Sequence, residues 1–190
     1  MPKILAFAGS LRENALSKRV LNISVEGARA AGGEVTLIDL QDLPMPIYNA
    51  DDHVQKGFDP NAQKFQDLLG EHDGLIVASP EYNGSIPGGL KNAIDWASRK
   101  SEKYELNQVF KNKWGAIITA SPGSFGGLRC MAHLRAVLSI MGVIVLPTEI
   151  AVTFAGQKFD GDRDVMTDEK TKTALETLGR TLVEMVKKTN

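Results

Sequence analysis

The sequence predicts an α/β fold, a parallel sheet with helices packed on both faces. Three observations carry that prediction. Short apolar segments alternate along the chain with longer segments whose apolar residues recur at helical spacing. The runs Ile4–Ala8, Leu75–Ala78 and Trp114–Ala120 are apolar almost throughout, as strands covered on both faces must be. Glycine, proline and serine cluster where these runs end, so each strand feeds a turn before the next helix.

The elements follow in order. Ile4 to Ala8 forms the first strand, stopped by Gly9-Ser10. A helix runs from about Ala15 to Ala31, with Leu16, Val20, Ile23 and Gly27 on one stripe and Leu21, Val25 and Ala28 on another. Gly32-Gly33 ends it. Val35 to Leu40 is the second strand, and Leu43-Pro44-Met45-Pro46 forbids regular structure after it. The polar stretch from Asp51 to Asp59 reads as a loop and Asn61 to Leu69 as a short helix. Leu75 to Ala78 is the third strand. Pro87 opens a helix that continues to about Ser98, and a charged connection fills Arg99 to Gln108. Trp114 to Ala120, Leu128 to Met141 and Val143 to Leu146 give a strand, a helix and the fifth strand. Asp168 to Lys188 is a last helix, with Leu175, Leu178, Leu182 and Met185 on one side. Five strands in this rhythm fit the flavodoxin-like order 2-1-3-4-5, doubly wound, in which ligands bind where the order reverses, between the first and third strands. No repeat, low-complexity segment or internal boundary divides the chain, so residues 1–190 are expected to form one domain.

Composition narrows the function. With 22 basic and 23 acidic residues and a net charge of −1, no electrostatic capture of nucleic acid or an anionic membrane is expected. The same balance argues against a small electron carrier that docks through a strongly acidic surface. The single cysteine, Cys130, can form neither an internal disulfide nor a cysteine-based metal site, and it reads as a small buried hydrophobe. His53, His72 and His133 lack ligand spacing, so no metal is expected. No apolar run is long enough to span a bilayer, and no signal-peptide layout is present, so a cytoplasmic protein is expected.

Three loops carry the chemistry. Gly9-Ser10-Leu11-Arg12, running to Ser17 at a helix start, offers amides, two hydroxyls and a guanidinium to a terminal monophosphate. It lacks both G-x-x-x-x-G-K-[ST] and G-x-G-x-x-G, so a triphosphate or a dinucleotide at this turn is not expected. Taken alone it also fits an ordinary strand-to-helix turn. The second loop, Ser79-Pro80-Glu81-Tyr82-Asn83-Gly84-Ser85-Ile86-Pro87, is long, polar and aromatic and suits a planar heterocycle. Backbone amides from Glu81 to Gly84 and the Asn83 side chain could serve a flavin's pyrimidine edge, with Pro80 and Tyr82 walling the ring. Ser121-Pro122-Gly123-Ser124-Phe125-Gly126-Gly127 is the third, where three glycines permit close backbone approach, and Ser121, Gly123 and Gly126 are its candidate contacts. Trp96 reads either as core or as the anchor of a subunit interface. The site residues expected to bind FMN are therefore Ser10, Arg12, Ser17, Pro80, Glu81, Tyr82, Asn83, Gly84, Ser121, Gly123 and Gly126, with no catalytic side chain.

These loops together resemble the NADPH-dependent FMN reductase family, which includes quinone and chromate reductases and related azoreductases. Residues 79–96, from Ser79-Pro80-Glu81-Tyr82-Asn83-Gly84 to Asp95-Trp96, are the most specific piece. Gly9-Ser10-Leu11-Arg12, Leu43-Pro44-Met45-Pro46-Ile47-Tyr48-Asn49 and Gly126-Gly127-Leu128-Arg129-Cys130 match further family segments. The resemblance implies an FMN-dependent oxidoreductase working by ping-pong exchange. NADPH or NADH would pass hydride to flavin N5, and a quinone, azo compound or chromate would then take two electrons from the same face. It also implies a homodimer or homotetramer with contacts near the flavin. Arg129 and Glu149 are expected to pair at the mouth of the site, within or between subunits. A non-enzymatic FMN-binding electron carrier or redox sensor is the alternative, and a flavin-free scaffold is a further one.

Overall fold

A computed structural model describes residues 1–161 and 165–189. Among the described residues six strands, β1 (Lys3–Ala8), β2 (Glu34–Asp39), β3 (Gly74–Ser79), β4 (Trp114–Ala120), β5 (Ile144–Val145) and β6 (Ile150–Val152), form one sheet. Every pairing is parallel, and the order is β2-β1-β3-β4-β5, with β6 also on β4. This is the flavodoxin-like arrangement, and its reversal falls between β1 and β3.

The two faces follow from the period of two along each strand. Ile4, Ala6 and Ala8 of β1, with Ile76, Ala78, Ala116 and Ile118, pack under α1 (Leu16–Ala30) and α6 (Glu169–Thr189). Leu5, Phe7, Leu75, Val77 and Ile117 face α3 (Pro60–Glu71), α4 (Gly88–Ser98) and α5 (Leu128–Ile140) on the other side. All six residues of β3 are buried, which explains its continuous apolar run.

Three element expectations need correction. Ala50–Lys56 is a helix, α2, where the polar stretch suggested a loop. The Asn49 carboxamide caps it by accepting from Asp51 N at 2.9 Å, and Asp51 and Asp52 sit favourably in its first turn. The fifth strand is broken in two. β5 pairs with the start of β4 and β6 with its end, and Pro147 lies in the gap. Arg135 fills that gap by donating to the Leu146 carbonyl and, at 2.9 Å, to the Glu149 carboxylate. Pro87 is the cap of α4 rather than its first helical residue. Trp96 is core, with its indole N–H donating to the Pro46 carbonyl at 2.8 Å.

Candidate functional site

The loops after β1, β3 and β4 converge beyond the carboxyl ends of adjacent strands. Contacts between them are close. Gly9 packs on Leu90 of α4, where an added Cβ would lie 2.7 Å from the leucine side chain, and Leu11 rests against Gly89.

The β1 loop presents polar groups that an anion could use. Ala15 precedes α1 without a side-chain cap, so the first-turn amides have no hydroxyl or carboxylate over them. Ser17 is 1% exposed and its Oγ has no hydrogen-bond partner among the described residues. Ser10 is equally buried, and its Oγ accepts from Arg12 N at 3.3 Å, which leaves its own proton free to donate. Arg12 is exposed, and its guanidinium makes no ion pair among the described residues.

In the β3 loop, Tyr82 N donates to the Ser85 carbonyl at 2.9 Å and Ser85 N returns a bond at 3.0 Å. Asn83 and Gly84 between them have φ of 51° and 75°. Both values lie in the left-handed region, so Asn-Gly makes the two-residue turn that closes a hairpin. The turn consumes the Tyr82 amide, so fewer amides of this loop are open to a ligand than its length suggested. The Glu81, Asn83 and Gly84 amides and the Asn83 carboxamide remain, and Tyr82 is half exposed beside them.

The Glu81 side chain, on a residue expected to bind FMN, is engaged within the protein. Its carboxylate turns onto the start of α5, accepting from Arg129 N at 3.1 Å, Cys130 N at 3.2 Å and Arg129 Nε at 2.9 Å, with a second guanidinium bond from Nη2. Gly127 caps α5 in the left-handed conformation and has no side chain, so Glu81 supplies the cap from another loop. Burial pushes the Glu81 carboxyl up, but the Arg129 guanidinium and the Cys130 and Arg129 amides outweigh it and hold it below the usual carboxylate value. Arg129 in turn lies under the Phe125 ring, 5.2 Å from its centroid, and against Gly84. The expected Arg129–Glu149 pair is therefore absent in this chain, because Arg129 is taken by Glu81 and Glu149 by Arg135. Sequence reasoning missed this clamp; an acidic residue standing opposite an uncapped, glycine-led helix was the available signal.

The β4 loop is folded down onto the sheet edge. A Cβ on Gly126 would lie 3.0 Å from the Thr153 amide, and one on Gly127 would lie 2.8 Å from Thr119. Gly126 thus packs closely against the backbone of β6. Ser121 and Gly123 stay at the rim, where Ser121 Oγ accepts from Gly123 N at 3.2 Å. Thr119, not foreseen, carries a second buried hydroxyl with no partner among the described residues.

Cys130 and the three histidines have neighbours within the protein. Cys130 is buried, its Sγ 3.3 Å from Ser79 Oγ, and burial raises its thiol pKa. His72 is buried between the Leu68 carbonyl and Thr36, His53 joins an aromatic cluster with Tyr48, Phe58 and Trp96, and His133 Nδ1 lies 2.9 Å from Ser85 Oγ.

Comparison with known proteins bears on this geometry. The model of the family described as NADPH-dependent FMN reductase matches residues 2–157. An NAD(P)H-dependent FMN reductase of Pseudomonas aeruginosa is 36% identical over 168 residues, covering 88% of this chain and 86% of that protein. An NAD(P)H:quinone oxidoreductase of Solanum tuberosum is 36% identical over 178 residues, covering 91% and 87%. Among solved structures, the flavoenzyme NAD(P)H:(acceptor) oxidoreductase FerB of Paracoccus denitrificans superposes with a TM-score of 0.83 at 26% identity, covering 99% of this chain and 98% of its own. An azoreductase of Bacillus anthracis shares the fold, with a TM-score of 0.66 at 20% identity, covering 97% of this chain and all of its own.

Proposed function

The chain belongs to the NADPH-dependent FMN reductase family, and from that premise we propose how its residues divide the work. It is an FMN-dependent oxidoreductase that draws electrons from NAD(P)H. A quinone is the acceptor we assign it, since relatives bear the names quinone oxidoreductase and quinone reductase.

The residues fit the cofactor. A buried, unpartnered hydroxyl beside an uncapped helix start is what a bound phosphate would complete, and Ser17 Oγ is the observation that carries the reading. Ser10 would donate its free proton to the same phosphate, and Arg12 would pair with it from the solvent side. The Asn83 and Gly84 amides and the Asn83 side chain would hold the pyrimidine edge, with Pro80 and Tyr82 as walls and Ser121 and Gly123 at the far rim. Glu81 serves as a positioning residue, since its carboxylate joins the β3 loop to α5. When bound, FMN supplies the two-electron chemistry, accepting hydride from NAD(P)H and, in a ping-pong cycle, passing electrons to the acceptor.

Three further proposals complete the reading. Residues 1–190 act as one flavodoxin-like domain. The protein works in the cytoplasm, in keeping with a single buried thiol; among the described residues no helix is long and apolar enough to cross a membrane. It forms a homodimer or homotetramer, for which the exposed apolar stripe of α5 is the support.

The test is to saturate the protein with FMN, desalt it and record the visible spectrum before and after anaerobic NADPH. A retained chromophore that bleaches directly to the two-electron reduced form is expected. A chromophore that resists NADPH and NADH would turn the reading to an electron carrier or sensor. Failure to retain flavin would overturn the site.

A further inference from the structure

A cavity of about 390 Å³ lies beside the phosphate loop, on the flank of α1 that faces β2, and the functions assigned above leave it unused. It starts at the loop itself, since Glu13, Asn14 and Ala15 form one wall. Its far end is the carboxyl end of β2, where Asp39 and Asp42 stand. Resting on the FMN reading, we propose that this cavity receives the adenosine half of a flavin adenine dinucleotide whose phosphates lie on the Ser10–Ser17 loop. The chain would then hold FAD as well as FMN. The turn lacks the G-x-G-x-x-G glycines, whose absence argued against a dinucleotide there, so the hydroxyls of Ser10 and Ser17 and the Arg12 guanidinium would hold the phosphates instead.

Four features select this occupant. The volume falls within the range of small-ligand pockets, roughly 300–1,000 Å³. Ala15 lines the cavity and stands two positions before Ser17 at the start of α1, so a ligand entering here lies beside the segment assigned to the phosphate. Asp39 ends the strand that follows the phosphate-loop helix, the place from which a carboxylate takes a ribose diol in doubly wound dinucleotide sites. Its two oxygens already accept from Gln41 N at 3.0 Å and from Lys18 Nζ, so the carboxylate is held in orientation and each oxygen keeps a lone pair. The wall also carries the half-exposed aliphatic side chain of Leu37 for a base, with the carboxamides of Asn14 and Asn22 near it.

Charge argues for a nucleoside over a free anion. Three carboxylates, Glu13, Asp39 and Asp42, face two cations, Lys18 and Arg19, so a second phosphate placed inside would meet net repulsion. A neutral ribose and base inside, with the phosphates outside on the loop, satisfies both regions.

Calorimetric titration of the apoprotein with FMN and, separately, with FAD tests this. Both flavins are expected to bind to the wild type. Asn22→Trp, which fills the cavity, and Asp39→Asn, which removes the acceptor charge, should each weaken FAD at least ten-fold and change FMN less than two-fold. The assignment is overturned if FMN binds and FAD does not, or if FAD tolerates Asn22→Trp. Equal losses of both flavins would also overturn it. Binding of ADP-ribose to the FMN-loaded protein, abolished by Asn22→Trp, would give the cavity to a nicotinamide dinucleotide and overturn the FAD assignment. Failure of FMN itself to bind the wild type would instead strike at the family reading.

Discussion

Replacing Ser17 by alanine separates binding from stability, because the hydroxyl is buried and unpartnered without a ligand. An unmet buried polar group costs about 1–3 kcal/mol, so Ser17→Ala should leave the apoprotein's melting temperature unchanged or raise it. The same change should weaken FMN roughly ten- to hundred-fold, since a hydrogen bond to a charged group contributes about 1.5–3 kcal/mol. Calorimetry of both states checks the pair of outcomes; a destabilised apoprotein with normal FMN affinity would contradict the phosphate role. Arg12→Ala should weaken FMN far more than riboflavin, which lacks the phosphate, and equal losses would remove Arg12 from that role. Glu81 adds a pH dependence of known sign. Its folded-state pKa lies below the ordinary 4.5, so the cap it gives α5 is fully present above that value and is lost as pH falls through the lower folded value. Acid titration of stability should therefore show a loss in that window, and Glu81→Gln should flatten it. Ser10, Arg12 and Ser17, the residues proposed to hold the phosphate, could be named from the sequence because they fall within eight consecutive residues. The Glu81–Arg129 clamp could not, because its partners stand 48 residues apart and meet only through the folded loops.

At the scale of elements, α1 and α6 cross closely enough to require glycine on both sides. A Cβ on Gly27 would lie 2.1 Å from the Glu176 carbonyl oxygen, and one on Gly179 would lie 1.9 Å from that of Ser24. Ser24 Oγ also donates to the Leu175 carbonyl at 2.7 Å across this crossing, inside the buried seam. Neither obstacle is a side chain that can rotate aside, so alanine must part the helices. Overpacking costs about 1–3 kcal/mol or more. Gly27→Ala should therefore lower the melting temperature by roughly 6–12 °C if the upper figure applies. Gly156→Ala is the control, since open space surrounds that position, and it should change little. A Gly27→Ala protein as stable as the wild type would mean that the crossing yields. Sequence periodicity located α1 and α6 but read Gly27 only as one residue of a stripe, because a stripe shows which face is buried and not how near the neighbour comes. The interrupted fifth strand escaped for a related reason. Val143–Leu146 is apolar enough for one strand, and the continuation at Ile150–Val152 depends on Arg135 bridging the gap from a helix.

For the molecule as a whole, α5 raises the question of what covers its outer side. Its inner residues Cys130, Met131, Leu134 and Leu138 are buried, yet His133, Ala136, Val137 and Ile140 form a second stripe at helical spacing, and Ile140 is 81% exposed. Ala136 and Val137 line an open concavity of about 530 Å³ with Ile86 and Ser85. A stripe of this kind fits a subunit contact, which is the homo-oligomer proposed above. The sequence hinted at association through family resemblance and through Trp96, which is core instead. Helical spacing alone does not reveal that two sides of α5 are apolar and one is left uncovered. Sedimentation equilibrium of the wild type should give a dimer or tetramer, and Ala136→Arg should shift it towards the monomer. Ser85 closes the Asn83-Gly84 turn, so a partner seated on this surface would also brace the loop assigned to the flavin. Ala136→Arg is therefore expected to lower FMN affinity several-fold along with the mass. A wild type that sediments as a monomer at micromolar concentration would reject the association, and a monomeric variant with unchanged FMN affinity would show that the loop stands without its partner.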